Sequence, residues 1–190
     1  MRSHVLVPSI ALVVVQSFCC CPIAGGPQPP HAITPSDEAV QRFKERWDTV
    51  IEESPDGSFT ITVTEEEMTS LATQMLDKWE DLPPVSGLQI HLRDGRIEAY
   101  ATVTVDDSLS LPGMVAFSAV ATGGEISATI EEAAFGPLPI PDSTLEAVTD
   151  VLNDLIAQSM PAEMGTTTIT DIQIGEGDMT LTGTIFAGQP

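Results

Sequence analysis

The feature that most restricts the fold is a run of alternating segments joined by very short turns. Apolar and polar residues alternate over residues 88–92, 97–105, 115–121 and 126–130. A period of two predicts β-strands with one buried face. Asp94-Gly95, a strong hairpin signal, separates the first two segments, and Gly123-Gly124 separates the last two. Because turns this short cannot carry a parallel crossover, the sequence predicts an antiparallel meander.

Three segments with helical periodicity surround this meander. The first follows Thr34, a candidate N-cap, and Pro35, which suits the first helical position. The second opens on a capping box formed by Thr64 and Glu67, and the third is capped by Ser143. Each segment carries an apolar stripe, so each is predicted to pack one face against the sheet.

Further strands are predicted before and after the meander. Phe59 to Val63 alternates with threonines, and the chain closes with a hairpin of residues 166–174 and 179–185 around Gly175-Glu176-Gly177. The predicted order is α-β-α-β-β-β-β-α-β-β. This order indicates an α+β fold in which a curved antiparallel sheet wraps or is covered by helices. Residues 36–190 are predicted to form one domain.

The first 24 residues have the pattern of a signal peptide or a membrane anchor. Arg2 precedes an apolar run from Val5 to Phe18, and a Pro/Gly linker over residues 25–35 follows. Three consecutive cysteines end the run and are candidate lipid-attachment residues: Cys19, Cys20 and Cys21. Three alternatives remain open, namely a lipidated protein, a single-span anchor and full secretion. In the first two the domain is extracytoplasmic and tethered to the cell membrane.

The charge of the chain restricts its partners. It contains 28 acidic residues against 7 Lys and Arg, a formal net charge of −21. Binding to phosphate backbones needs clustered cations, so nucleic acid is excluded as a partner. An anionic lipid surface would also repel the domain. Membrane contact must therefore come from the N-terminus or from apolar contact. The sequence leaves the oligomeric state undetermined.

The reactive groups of the chain do not form a recognisable catalytic motif. His4 lies in the leader, His31 in the linker and His91 on the polar side of a strand, and the domain contains no cysteine. These residues offer too few ligands for a typical zinc site, and the sequence predicts no metal or cofactor. The carboxylate pairs Asp106-Asp107 and Glu131-Glu132 have no supporting motif. The sequence therefore favours a protein that is not an enzyme.

Apart from these reactive groups, the distinctive residues of the domain are apolar. Sites for hydrophobic ligands are lined mainly by apolar side chains. The third helix has a wide apolar face, and methionines could line an adaptable site beside it. The candidate groove residues are Met75, Met114, Phe117, Leu145, Val148, Leu152, Leu155 and Ile156. The same apolar residues would equally be expected in an ordinary hydrophobic core.

Four stretches of the chain resemble a known group of proteins. They read FTITVTEEEMTSLATQML, LQIHLRDGRIEAYATVTV, FGPLPIPDSTLEAVTDVLNDLI and ITDIQIGEGDMTLTG. Together they resemble the YpmS-like and LmeA-like extracytoplasmic proteins of bacteria, over about residues 58 to 186. This resemblance implies a tubular lipid-binding fold, in which a bent sheet wraps the helix from Leu145 to Met160 and an acyl chain lies along it. The implied function is binding of lipid or another apolar ligand without catalysis. A structural or protein-interaction domain of the cell envelope is the alternative.

Overall fold

The computed structural model describes residues 25–76, 85–106, 109–139 and 166–186, together with Thr149 and Asn153. Its elements are α1 (Asp37–Glu52), β1 (Ser58–Thr64), α2 (Glu65–Leu76), β2 (Val85–Arg93), β3 (Arg96–Asp106), β4 (Leu109–Thr122), β5 (Glu125–Phe135), β6 (Leu138–Pro139), β7 (Thr166–Ile174) and β8 (Asp178–Phe186). Thr149 and Asn153 are helical and belong to the predicted third helix. The α+β prediction is confirmed.

The strands form two antiparallel sheets. A three-stranded sheet has the order β1-β8-β7, and a five-stranded sheet has the order β2-β3-β4-β5-β6. The meander prediction is thus confirmed for β2 to β5, and the short β6 is added beside β5. The strands predicted before and after the meander form a sheet of their own, because β1 pairs with β8 over its whole length. One sheet was predicted, and this distant pairing divides the strands between two.

Local signals set the starts of the helices and the first hairpin. The capping box is present, since the Glu67 N–H donates to the Thr64 hydroxyl (3.3 Å) and the Thr64 N–H donates to the Glu67 carboxylate (3.1 Å). Asp94 and Gly95 both have positive φ, 49° and 79°, as a type I′ turn requires. The cap predicted for α1 was wrong by two residues. Ser36 is the N-cap, and its hydroxyl accepts from the Ala39 N–H (3.1 Å).

One face of the five-stranded sheet is apolar. Pairing partners share a face of a sheet, and the register places on this apolar face Ile90, Leu92, Ile97, Ala99, Ala101, Val103, Leu111, Val115, Phe117, Ile130 and Ala133. Met68 and Ala72 of α2 pack on it beside Ile172 and Ile174 of β7. A second cluster joins Phe43 and Trp47 of α1 to Phe59, Ile61 and Ile169 of the smaller sheet. Burial of each large aliphatic side chain contributes roughly 1.5–3 kcal/mol to folding.

The opposite face of this sheet carries the segment that was predicted to be a linker. We call it the linker face; it contains Gln89, His91, Glu98, Tyr100, Met114 and Ala116. The Ile33 N–H donates to the Gln89 side-chain oxygen (2.9 Å). Gly26 lies so close to Pro112 that an added Cβ would come within 2.5 Å of its ring. Residues 25–33 are therefore in contact with the folded domain.

Side chains of α2 block the β2 edge of the five-stranded sheet. The Thr69 hydroxyl accepts from the Ile90 N–H (2.9 Å), and the Glu65 carboxylate accepts from the Leu92 N–H (2.7 Å). The Leu92 carbonyl accepts from the Gly177 N–H (3.0 Å). The groups that an edge strand would offer to another strand are thus already bonded at these positions.

The β5 edge is blocked by the two described residues of the third helix. Asn153 makes a two-point contact with Ala128, because its Oδ1 accepts from the Ala128 N–H (2.8 Å) and its Nδ2 donates to the Ala128 carbonyl (2.9 Å). The Thr149 hydroxyl accepts from the Ile130 N–H (3.2 Å). These two side chains therefore take the place of a neighbouring strand at Ala128 and Ile130.

The described part of the chain holds no helix with the length and apolarity needed to cross a membrane. The predicted signal peptide or anchor, residues 1–24, lies outside the described residues.

Candidate functional site

Three residues that are far apart in the sequence meet at the linker face. His31 comes from the segment before α1, Glu65 is the first residue of α2, and His91 lies on β2. One donor atom from each lies within 4.8 Å of the other two. The cluster is therefore the densest grouping of ligand-type side chains in the described residues.

Glu65 is held from several sides. The capping box fixes the start of α2, and the Glu65 N–H donates to the Gly177 carbonyl (3.1 Å). One carboxylate oxygen, Oε1, accepts from the Leu92 N–H (2.7 Å). The other, Oε2, lies 3.3 Å from His31 Nε2. Because its backbone and one oxygen are fixed, the second oxygen has a defined position toward the histidines.

His91 is the buried member of the cluster. Its side chain is 0% exposed, whereas those of Glu65 and His31 are 12% and 53% exposed. Its Nδ1 lies 3.7 Å from Glu65 Oε1, too far for a hydrogen bond, and neither ring nitrogen has a hydrogen-bonding partner in the part of the chain that the structure describes. Burial lowers the pKa of His91, against the opposing effect of the Glu65 charge. The neutral imidazole, which is the metal-binding form, is thereby favoured.

Aromatic contacts fix the orientation of the His91 ring. The His31 ring meets it edge to face, with centroids 4.6 Å apart, and the Tyr100 ring does the same from 5.6 Å. The Tyr100 hydroxyl donates to Glu98 Oε2 (2.9 Å). Burial, together with this hydrogen bond and the Glu98 charge, raises the pKa of Tyr100 to about 12. Tyr100 therefore remains a neutral phenol at physiological pH.

Two imidazoles and a carboxylate form a donor set that suits zinc and neighbouring divalent metals. Sequence reasoning missed this set because His31 was assigned to a free linker. No motif spacing connects residues 31, 65 and 91, so the signal exists only in three dimensions.

The predicted groove residues do not all come together. Met114 and Phe117 lie on opposite faces of β4, because Met114 pairs with Tyr100 and Phe117 pairs with Ile97. Met75 follows Met68 and Ala72 on α2 at helical spacing, so it belongs to the side of Phe117. Met114 therefore has no place in a groove on the apolar face.

The other predicted site residues lie outside the described residues. They are Cys19, Cys20, Cys21, Leu145, Val148, Leu152, Leu155 and Ile156.

The acidic pair on β5 has a structural explanation. Glu131 Oε2 lies 3.0 Å from Arg96 Nε, and Glu132 Oε2 lies 3.5 Å from Arg96 Nη2. Both carboxylates thus pair with one guanidinium, whose single positive charge offsets one of their two negative charges. Of the other acidic pair, Asp106 ends β3 and Asp107 lies outside the described residues.

No protein-family model, curated protein or solved structure shows significant similarity to this chain. The resemblance to the YpmS-like and LmeA-like proteins stays a prediction from the sequence.

Proposed function

We propose that this protein is a membrane-tethered extracytoplasmic binding protein for lipid or another apolar ligand, and that it is not an enzyme. The observation that supports this most is the extent of the apolar face of the five-stranded sheet. At the end of the sheet where Val103 of β3 pairs with Leu111 of β4, the side chains of Ala101, Val103 and Leu111 are only half-buried. They are not part of the clusters that α2 and the β7–β8 hairpin build on this face in the described residues. An apolar wall with a few polar neighbours is the common form of a site for hydrophobic ligands.

The position of the third helix is consistent with this proposal. Thr149 and Asn153 bond to Ile130 and Ala128 of β5, and Ile130 lies on the apolar face. In the sequence, the apolar residues Val148 and Leu152 each directly precede one of these two anchors. A ligand lying along the helix would then contact the same wall.

The alternative function, a protein-interaction domain, gains less support. The common way for a sheet to bind a partner is to add a strand at an exposed edge. At the described positions on β2 and β5, side chains already occupy the edge hydrogen bonds. A partner strand would have to displace them.

A lipid-transfer experiment tests the proposal. The full-length chain is incubated with vesicles of phosphatidylethanolamine and phosphatidylglycerol, separated from them in mild detergent and analysed by native mass spectrometry. We expect bound phospholipid, and less of it in Leu111→Ser, which makes the apolar wall polar. Met114→Ser is the matched control, because Met114 lies on the linker face. Absence of lipid from the wild-type protein, or equal loss in the two variants, would contradict the proposal.

A further inference from the structure

We infer that His31, Glu65 and His91 form a binding site for one divalent transition-metal ion, of which zinc is the best match. The site also fastens the segment before α1 to the linker face. This inference is independent of the apolar ligand, because the cluster lies on the other side of the five-stranded sheet.

The first argument is geometric. Two ligand atoms on a tetrahedral zinc ion lie about 3.3–3.6 Å apart, given Zn–N and Zn–O lengths of about 2.0–2.2 Å. His31 Nε2 and Glu65 Oε2 are already 3.3 Å apart. The whole set lies within 4.8 Å, so a contraction of at most about 1.2–1.5 Å brings all three donors to coordination distance.

The second argument concerns the buried imidazole. An unpaired polar group in the interior is destabilising, and native proteins almost always satisfy such groups. His91 is fully buried, and both of its ring nitrogens lack a hydrogen-bonding partner among the described residues. Coordination would satisfy one nitrogen and explain why this histidine is placed beside a carboxylate instead of in solvent.

The third argument is the support around the ligands. Metal-binding carboxylates are usually held by an outer hydrogen bond, and the Leu92 N–H supplies one to Glu65. Tyr100 packs on the His91 ring and limits its rotation. The half-exposed His31 side chain forms the outer, solvent-facing part of the site.

Binding is tested on the full-length chain, purified in detergent without a polyhistidine tag. Co²⁺ serves as a spectroscopic probe, and Zn²⁺ is then added to displace it, in the presence of excess Mg²⁺. The Mg²⁺ occupies the many carboxylates of this acidic surface, which suit hard cations. We expect one Co²⁺ per chain with a visible ligand-field spectrum, and its displacement by one equivalent of Zn²⁺.

Two substitutions that should preserve the fold identify the ligands. His31→Ala removes a half-exposed side chain, and Glu65→Gln keeps an acceptor for the Leu92 N–H. Each should weaken Zn²⁺ binding by more than the roughly 10- to 100-fold that loss of an outer-shell partner costs. His4→Ala and Glu66→Gln are the matched controls and should leave binding unchanged.

Attachment of the segment before α1 to the linker face is measured separately, by amide hydrogen exchange. Zn²⁺ should slow amide hydrogen exchange over residues 31–33 in the wild-type protein but not in His31→Ala. Three results would overturn the inference: Mg²⁺ competes the transition metal away, His31→Ala binds as well as His4→Ala, or Zn²⁺ binds without slowing exchange over this segment.

Discussion

Thr69 shows how much depends on a single hydroxyl in this fold. It is fully buried on α2, accepts from the Ile90 N–H (2.9 Å) and reaches the Ile90 carbonyl (3.5 Å). Thr69→Val keeps the shape but leaves the buried N–H of the β2 edge without an acceptor. We expect this variant to lower the free energy of unfolding by about 1–3 kcal/mol. Thr69→Ser, which keeps the hydroxyl, should lose less, and urea denaturation measures both. A valine variant as stable as the serine variant would contradict this role.

Tyr100 reports the electrostatics of the linker face directly, because it is the only tyrosine in the chain. Its pKa is raised from 10.0 to about 12 by burial and by Glu98. Since the folded state favours the neutral phenol, this contribution to stability is full below pH 10 and is lost as the pH rises through about 12. Ultraviolet absorbance of the phenolate, followed with pH in a chelator, should show one late transition. A transition near pH 10 in the folded protein would be the opposite result.

At the scale of elements, Asn153 joins the third helix to β5. Asn153→Ala removes both bonds to Ala128 and leaves a strand edge with a free N–H and a free carbonyl. We expect a loss of about 1–3 kcal/mol in the free energy of unfolding, and some self-association through the opened edge, measured by denaturation and light scattering. Gln173→Ala removes an exposed amide from β7 and serves as control. Equal stability and a monomeric state in the two variants would show that the helix does not protect this edge.

Elements were predictable from sequence where the deciding contacts are local. The Thr64–Glu67 capping box and the Asp94-Gly95 turn are both formed within four residues, and both are confirmed. Pairing of β1 with β8 joins residues more than 100 positions apart, so no local pattern specifies the second sheet. The cluster of His31, Glu65 and His91 was missed for the same reason, because its residues are also far apart in the sequence. The two faces of β4 were mixed in the groove prediction, because Met114 and Phe117 were grouped by residue type without regard to strand parity.

At the scale of the whole molecule, two electrostatic effects oppose each other. The chain carries a formal net charge of −21, so its acidic groups repel one another in the compact state. Few ion pairs compensate in the described residues: Arg42 with Glu66, Arg46 with Glu67, and Arg96 with Glu131 and Glu132. Exposed pairs such as Arg42–Glu66 typically contribute only about 0–1 kcal/mol. Repulsion is therefore expected to exceed attraction, and this decides how salt acts on stability.

Added salt should therefore stabilise the protein. The Debye length falls from about 30 Å at 0.01 M to about 8 Å at 0.15 M ionic strength, which screens distant repulsions first and leaves contacts such as Arg46 to Glu67, 2.6 Å, largely intact. We expect Tm to rise over this range in potassium chloride, measured by circular dichroism with a chelator present so that no metal effect intervenes. Sucrose of equal osmolality is the control for effects other than screening. A fall in Tm would mean that the arginine ion pairs outweigh the net charge, and Arg46→Met should then abolish much of the salt dependence.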